Sequence, residues 1–178
     1  PYAFATRDPN VGVAKVLDSR LDALAEMSKS KNVIPTAVQF VDIAGLVKGA
    51  SQGEGLGNRF LAHIREVDAT VFVLRAFEDT DVPGSSDPAE QLEILELELI
   101  TADLEAMEKH IDKRRKAARS NPVLAPEVAA MEAAIDVLGA GTPVWRAGLG
   151  DDTLALLKAE QLLTSKPVIV LVNKTDRP

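Results

Sequence analysis

The sequence predicts an α/β fold in which an α-helical hairpin is inserted between two strands of one sheet. Three observations lead there. Apolar runs at 37–41, 69–74 and 168–172 have the length and β-branched character of buried strands. Between the second and the third, Leu97, Ile100, Leu104, Met107 and Ile111 step by three and four, the spacing of a helical seam. After a break, Val128, Met131, Ile135 and Leu138 resume the step. Sheet signals on both sides of a helical run argue for an insertion rather than a tandem domain. Segments 1–86 and 164–178 then belong to the sheet-bearing part and 87–163 to the insertion.

Taken in order, residues 1–8 (PYAFATRD) read as a loop and Val11–Val16 as a short strand. Leu21, Leu24 and Met27 place a helix over Asp18–Ser28, with Asp18 as its N-cap. Ala37–Val41 is a strand that runs into Asp42, and a loop containing Gly45, Gly49, Gly53, Gly55 and Gly57 follows. A helix of about ten residues starts at Asn58, with Phe60, Leu61 and Ile64 on one face. Ala69–Leu74 is apolar throughout, as expected of a strand covered on both sides in a parallel sheet. Asp79–Pro88 is a loop. The hairpin breaks at Ser120–Pro126, because proline lacks the amide donor and clashes inside a helix. Gly139 is the expected C-terminal cap, and a third helix spans Asp151–Leu163. Val168–Val172 is a second buried strand, ending at Asn173-Lys174-Thr175-Asp176.

Composition narrows the function classes. At 178 residues and 46% hydrophobic the chain can bury one good core, and with 4% aromatic residues that core is aliphatic. The net charge of −7 argues against DNA or broad non-specific nucleic-acid binding, while leaving room for a local basic patch. Without cysteine there is no disulfide, thiolate catalysis or cysteine-ligated metal, and His63 and His110 are too far apart in sequence to suggest zinc. No apolar run approaches the roughly 18 residues of a membrane helix, so a cytoplasmic protein is expected. The chain begins at Pro1 rather than Met and stops just after a motif, and reads as a fragment.

The chemistry is concentrated in two motifs. Phe40–Gly57 (FVDIAGLVKGASQGEGLG) delivers Asp42 from a strand into a glycine-rich loop. In nucleotidases with this layout the carboxylate holds Mg2+ and the glycine N–H, here that of Gly45, lies close to the terminal phosphate. Glycine suits the position because it reaches positive φ and lets the backbone approach an anion. By itself D-x-x-G is equally an ordinary strand-to-helix connection. The second motif, N-K-x-D, suits guanine. Asp176 can accept from the ring N–H and the exocyclic amine, Asn173 can serve the other edge, and Lys174 can lay its stem over the base. Alone it is a polar turn. In this order, each after a strand, the two reinforce one another. Thr6, one strand upstream of Asp42, can place its hydroxyl on Mg2+.

On these residues the chain resembles the YchF or Obg-like ATPases of the Obg-related P-loop NTPases. The resemblance is carried by PYAFATRDPNVGV, DSRLDALAEM, FVDIAGLVKGASQGEGLGNRFLAHIREVDA, LELELITADLEAMEK and KPVIVLVNKTD, which together cover nearly the whole chain. It implies a partial P-loop NTPase (G-domain) sheet carrying the helical hairpin. It implies Thr6 and Asp42 as Mg2+-linked residues, Gly45 as the contact to the terminal phosphate, and GTP or ATP as substrate. It also implies that Leu46 stands where the usual catalytic Gln would be, and leucine cannot orient a water by hydrogen bonding. No general base is named. Two departures matter. The sequence holds no G-x-x-x-x-G-K-S/T loop, which would wrap the phosphates, and the family's C-terminal TGS domain is missing. The parent protein is therefore expected to hydrolyse a nucleotide and this chain alone is not. At the base, the family resembles N-x-x-E, linked to ATP, whereas Asp176 matches guanine chemistry. GTP or dual use is the reading taken.

Within the insertion, Glu90, Glu93, Glu96, Glu98, Asp103, Glu105 and Glu108 precede Lys109, Lys113, Arg114, Arg115, Lys116 and Arg119. Acids towards the N-terminus and bases towards the C-terminus suit the helix dipole. Alternatively the basic tip faces RNA phosphates or an acidic partner. The dipole account is the first reading of this pattern, and the resemblance, which implies ribosome association, adds weight to the second. Trp145 and His63 read as packing or surface residues. The competing functional class is a non-catalytic interaction module that works through the hairpin.

Overall fold

The computed structural model describes residues 10–43, 56–78 and 84–175. The chain divides into two compact units, Phe4–Ala44 and a second made of Pro1–Ala3 with Gly45–Pro178.

In the first unit, β1 (Asn10–Lys15) pairs antiparallel with β2 (Ala37–Asp42), Val11 opposite Val41 and Val13 opposite Gln39. Between them runs α1 (Ser19–Ser28), which is defined by its caps rather than by a core. The Asp18 carboxylate accepts the Arg20 N–H at 3.0 Å, as expected of an N-cap, and pairs with the Arg20 guanidinium at 2.6 Å. That hydrogen-bonded partner holds the Asp18 carboxyl below its usual range. At the other end Lys29 takes positive φ and its N–H reaches the Ala25 and Glu26 carbonyls. No residue of α1 is buried.

The second unit contains α2 (Leu56–Glu66), β3 (Thr70–Arg75), α3 (Pro88–Ser120), α4 (Ala125–Gly139), α5 (Asp151–Leu157) and β4 (Val168–Asn173). β3 and β4 pair in parallel, from Thr70 opposite Val168 to Arg75 opposite Asn173. Everything between them from Pro88 to Ser165 is helix, 3-10 turn or connection. Leu61 and Ile64 of α2 are buried, while the side chain of Phe60 lies outside the described residues. The two strands differ from expectation. Burial alternates along β3, with Thr70, Phe72 and Leu74 buried and Val71 and Val73 exposed, and β4 is mostly exposed, Ile169 at 60%. Among the described residues, then, one face of β3 is covered. A continuous apolar run shows that burial on two faces is possible, not that both faces are met.

The hairpin buries Ile100, Met107 and Ile111 of α3 against Ala130, Met131, Ala134 and Leu138 of α4, with Val144, Leu157 and Leu162 closing the end. Leu97 is a correction: it is 58% exposed, and Leu99 is buried in its stead. The first half of α3 packs on β3 and on the Leu163–Ser165 turn, which rotates its buried stripe towards Leu99, Ala102 and Asp103. The break is shorter than expected. Asn121 and a 3-10 turn at Pro122–Leu124 suffice, and Pro126 lies inside the first turn of α4, where a missing N–H costs no hydrogen bond. Gly139 closes α4 without serving as its left-handed residue. Ala140 is the C-cap and Gly141 takes φ +75°. The third helix stops at Leu157, because a 3-10 turn at Lys158–Glu160 ends in Gln161 at φ 51° and redirects Leu162 and Leu163 inward.

Candidate functional site

Each described motif residue stands at the C-terminal end of a strand. β2 ends at Asp42, whose carboxylate is exposed and takes no hydrogen bond or ion pair among the described residues. An exposed carboxylate without a partner is a hard oxygen donor of the kind Mg2+ accepts. Asp42 belongs to the first unit. β4 ends at Asn173, followed by exposed Lys174, in the second. Thr6, Gly45, Leu46 and Asp176 lie outside the described residues.

The strand that carries Asn173 is anchored at both ends. At its start the Asp103 carboxylate, 1% exposed, accepts from the N–H of Leu163 at 2.9 Å and from the N–H and hydroxyl of Thr164, both at 2.8 Å. Burial pushes the Asp103 carboxyl up, opposed by those three donors and by the nearby Arg65 charge. Lys166 then donates to the carbonyls of Arg65, at 2.9 Å, and Val67, which satisfies the C-terminus of α2. Desolvation holds the Lys166 amine below its ordinary value. At the far end the Ala76 N–H donates to the Asn173 carbonyl at 2.7 Å. The Gln91 carboxamide pairs with both backbone groups of Arg75, accepting at 2.9 Å and donating at 2.7 Å. Sequence reasoning had no place for these supports. One signal was available: Asp103 sits three residues after Ile100 and four before Met107, an acid on the edge of an apolar stripe.

The basic run separates into two groups. Arg114 pairs with Glu127 at 2.9 Å and Glu160 at 3.5 Å, and Arg115 pairs with Glu132 at 2.8 Å and Asp112 at 3.5 Å. These arginines fasten α3 to α4 and to the turn after α5. Lys109, Lys113, Lys116 and Arg119 are exposed and make no ion pair among the described residues. The three lysines, at i, i+4 and i+7, share the outward face. Trp145 meets the Phe72 ring edge-on at 6.2 Å, and His63 lies 4.0 Å from Glu66 on the surface of α2. Among the described residues no group of three His, Cys, Asp or Glu is placed to hold a metal, and no helix is long and apolar enough to cross a membrane.

Residues 1–124 match the family model described as 50S ribosome-binding GTPase. The chain is 43% identical over 179 residues to the ribosome-binding ATPase YchF of Bacillus subtilis, covering 98% of this chain and 49% of that protein. It is 40% identical to the protein of the same name from Escherichia coli O157:H7, with the same coverage. The solved structure of the Schizosaccharomyces pombe YchF GTPase superposes with a TM-score of 0.76 at 38% identity, over 99% of this chain and 49% of that one. The chain thus spans about half the length of the relatives it matches.

Proposed function

This chain belongs to the 50S ribosome-binding GTPase family, as a YchF-like, Obg-related P-loop NTPase sheet with an inserted helical hairpin, and we propose that it serves a Mg2+-dependent nucleotide switch. In this reading the switch hydrolyses GTP or ATP in the cytoplasm and acts on the ribosome. The observation that carries it is the placement of Asp42 and Asn173, each delivered by a strand at its C-terminal end. In α/β folds the residues at the C-terminal ends of strands are the ones that meet ligands.

Thr6 and Asp42 would hold Mg2+, which when bound neutralises phosphate charge. The Gly45 N–H would serve the terminal phosphate, and Leu46 would offer the water no side-chain hydrogen-bond partner. Asn173, Lys174 and Asp176 take the base. The carboxylate of Asp176 favours guanine, whereas relatives carry the name ATPase as well as GTPase, which supports dual use. Segments 1–86 and 164–178 form the nucleotide-facing part and 87–163 the arm. The basic stretch Lys109, Lys113, Arg114, Arg115, Lys116 and Arg119 faces ribosomal RNA. Its contact is carried by the four residues that internal ion pairs leave available, since phosphate binding needs uncommitted cations.

The test is nucleotide competition in the natural gene product, ATP against labelled GTP, for wild type, Asp42→Ala, Asn173→Ala and Asp176→Glu. Loss of hydrolysis in Asp42→Ala, weaker binding in Asn173→Ala and a shift towards ATP in Asp176→Glu are expected. Wild-type behaviour in the first two variants overturns the reading. This chain by itself, which has no G-x-x-x-x-G-K-S/T sequence, is expected to bind neither nucleotide more tightly than millimolar in calorimetric titration.

A further inference from the structure

We propose that Gln91 is a positioning residue for the nucleobase turn, its carboxamide fixing the peptide group that grips Asn173. The inference rests on the nucleotide reading above, and it extends that reading from the motif to the helical arm.

The geometry is a chain of hydrogen bonds through one peptide plane. On the edge of β3 that faces β4, the Ala76 N–H donates to the Asn173 carbonyl at 2.7 Å. On the opposite edge the Arg75 carbonyl accepts from Gln91 Nε2 at 2.7 Å. The Arg75 carbonyl and the Ala76 N–H belong to the same peptide group. Gln91 therefore polarises and orients the very group that holds Asn173, and hydrogen bonds arranged in series strengthen one another. Gln91 Oε1 also accepts the Arg75 N–H at 2.9 Å. A carboxamide offers one acceptor and a donor in a plane, as a peptide does, so a single side chain occupies this edge of β3 as a neighbouring strand would.

Gln91 is itself held. Its Nε2 donates to the Asp87 carbonyl at 3.2 Å, and its backbone N–H donates to the same oxygen at 3.1 Å. Asp87 caps α3 by accepting the Ala89 N–H at 2.9 Å. The Arg75 guanidinium reaches the carbonyls of Gly84, at 2.6 Å, and Ser85, at 3.1 Å, just before that cap. The end of β3, the first turn of α3 and the start of the nucleobase turn are thus fixed to one another, and the connection passes through Gln91.

The experiment uses the natural gene product with Gln91→Ala, Gln91→Glu and, as reference, Asn173→Ala. Gln91→Glu keeps an acceptor for the Arg75 N–H but loses the donor to its carbonyl, and it covers the case in which the alanine variant fails to fold. Affinities for GTP, ATP and inorganic triphosphate are measured together with hydrogen exchange at the Ala76 amide. Both Gln91 variants should weaken GTP and ATP by about five- to tenfold, the scale of one lost hydrogen bond, with triphosphate affinity unchanged. Exchange at Ala76 should accelerate by about tenfold. Equal loss of nucleotide and triphosphate affinity would mean general destabilisation and overturns the assignment. Nucleotide affinity lost in Asn173→Ala but kept in both Gln91 variants overturns it too, and leaves the nucleotide reading standing. Unchanged affinity in Asn173→Ala removes the nucleotide reading and the role of Gln91 with it.

Discussion

Replacing Asp103 with alanine should loosen the return from the helical arm to β4. The carboxylate serves three donors in a site where Asp103 is 1% exposed and Leu163 and Thr164 are fully buried. In Asp103→Ala the Thr164 hydroxyl is free to rotate, but the two backbone N–H groups are not. A buried donor left unsatisfied costs about 1–3 kcal/mol, so two cost about 2–6 kcal/mol. Removing a charge from a desolvating site returns part of that. A net loss of about 3 kcal/mol follows, or about 6–12 °C in Tm for a chain of this size. Asp103→Asn keeps one acceptor and should lose roughly half as much. Urea unfolding followed by circular dichroism gives the free energies, and hydrogen exchange at the Leu163 and Thr164 amides gives the site. The pH dependence carries an independent signature. Burial raises the Asp103 carboxyl above the ordinary carboxylate range, so between that range and the raised value the folded chain binds the proton more readily than the unfolded chain does. Stability therefore falls as pH rises through this window. The advantage of wild type over Asp103→Asn should be largest at its acid end and shrink towards neutrality. An Asp103→Ala variant within about 0.5 kcal/mol of wild type at neutral pH, with both amides still protected, would refute the account.

Other expectations follow from the same structure. Lys113→Glu with Lys116→Glu should weaken ribosome co-sedimentation of the natural gene product and flatten its salt dependence by about one unit of log–log slope per contact, while thermal stability stays within about 0.5 kcal/mol. Unchanged sedimentation at low salt would remove this face from the ribosome contact. Arg115→Ala should instead lower the thermal unfolding midpoint slightly, with ribosome co-sedimentation less affected than in the lysine variants, because the guanidinium is bonded to Glu132 and Asp112. Gly141→Ala should cost about 1 kcal/mol in thermal unfolding. Open space surrounds the position, so φ +75° is the whole penalty, and a neutral substitution would show that the turn relaxes.

Much of this was legible in the sequence, for reasons that differ by element. The Asp18 cap and the two-part hairpin were readable because each depends on local chemistry or a repeated step. Leu97 was misplaced because a step of three and four names a stripe without saying where the stripe rotates to meet a second neighbour. The exposed faces of β3 and β4 escaped because apolar composition records what a strand can bury, not what comes to cover it. Arg114 and Arg115 looked like part of a free basic tip. Their partners Glu127, Glu132 and Glu160 lie on later elements, and only the folded hairpin brings them near. Gln91 was invisible as a support because its partners are backbone groups, which carry no letter in a sequence, and Asp103 showed only as an acid on the edge of an apolar stripe.

The length of α3 has a mechanical consequence. Its 33 residues make a rod of about 50 Å, clamped near one end by Gln91 and again at Asp103. Beyond Asp103 roughly 25 Å of the rod continues, braced among the described residues by its companion helix and the closing turns. Such a rod magnifies small motions. Tilting the base by one degree would sweep the far end through about 0.9 Å and the lysine face through about 0.7 Å, several times the shift at the base itself.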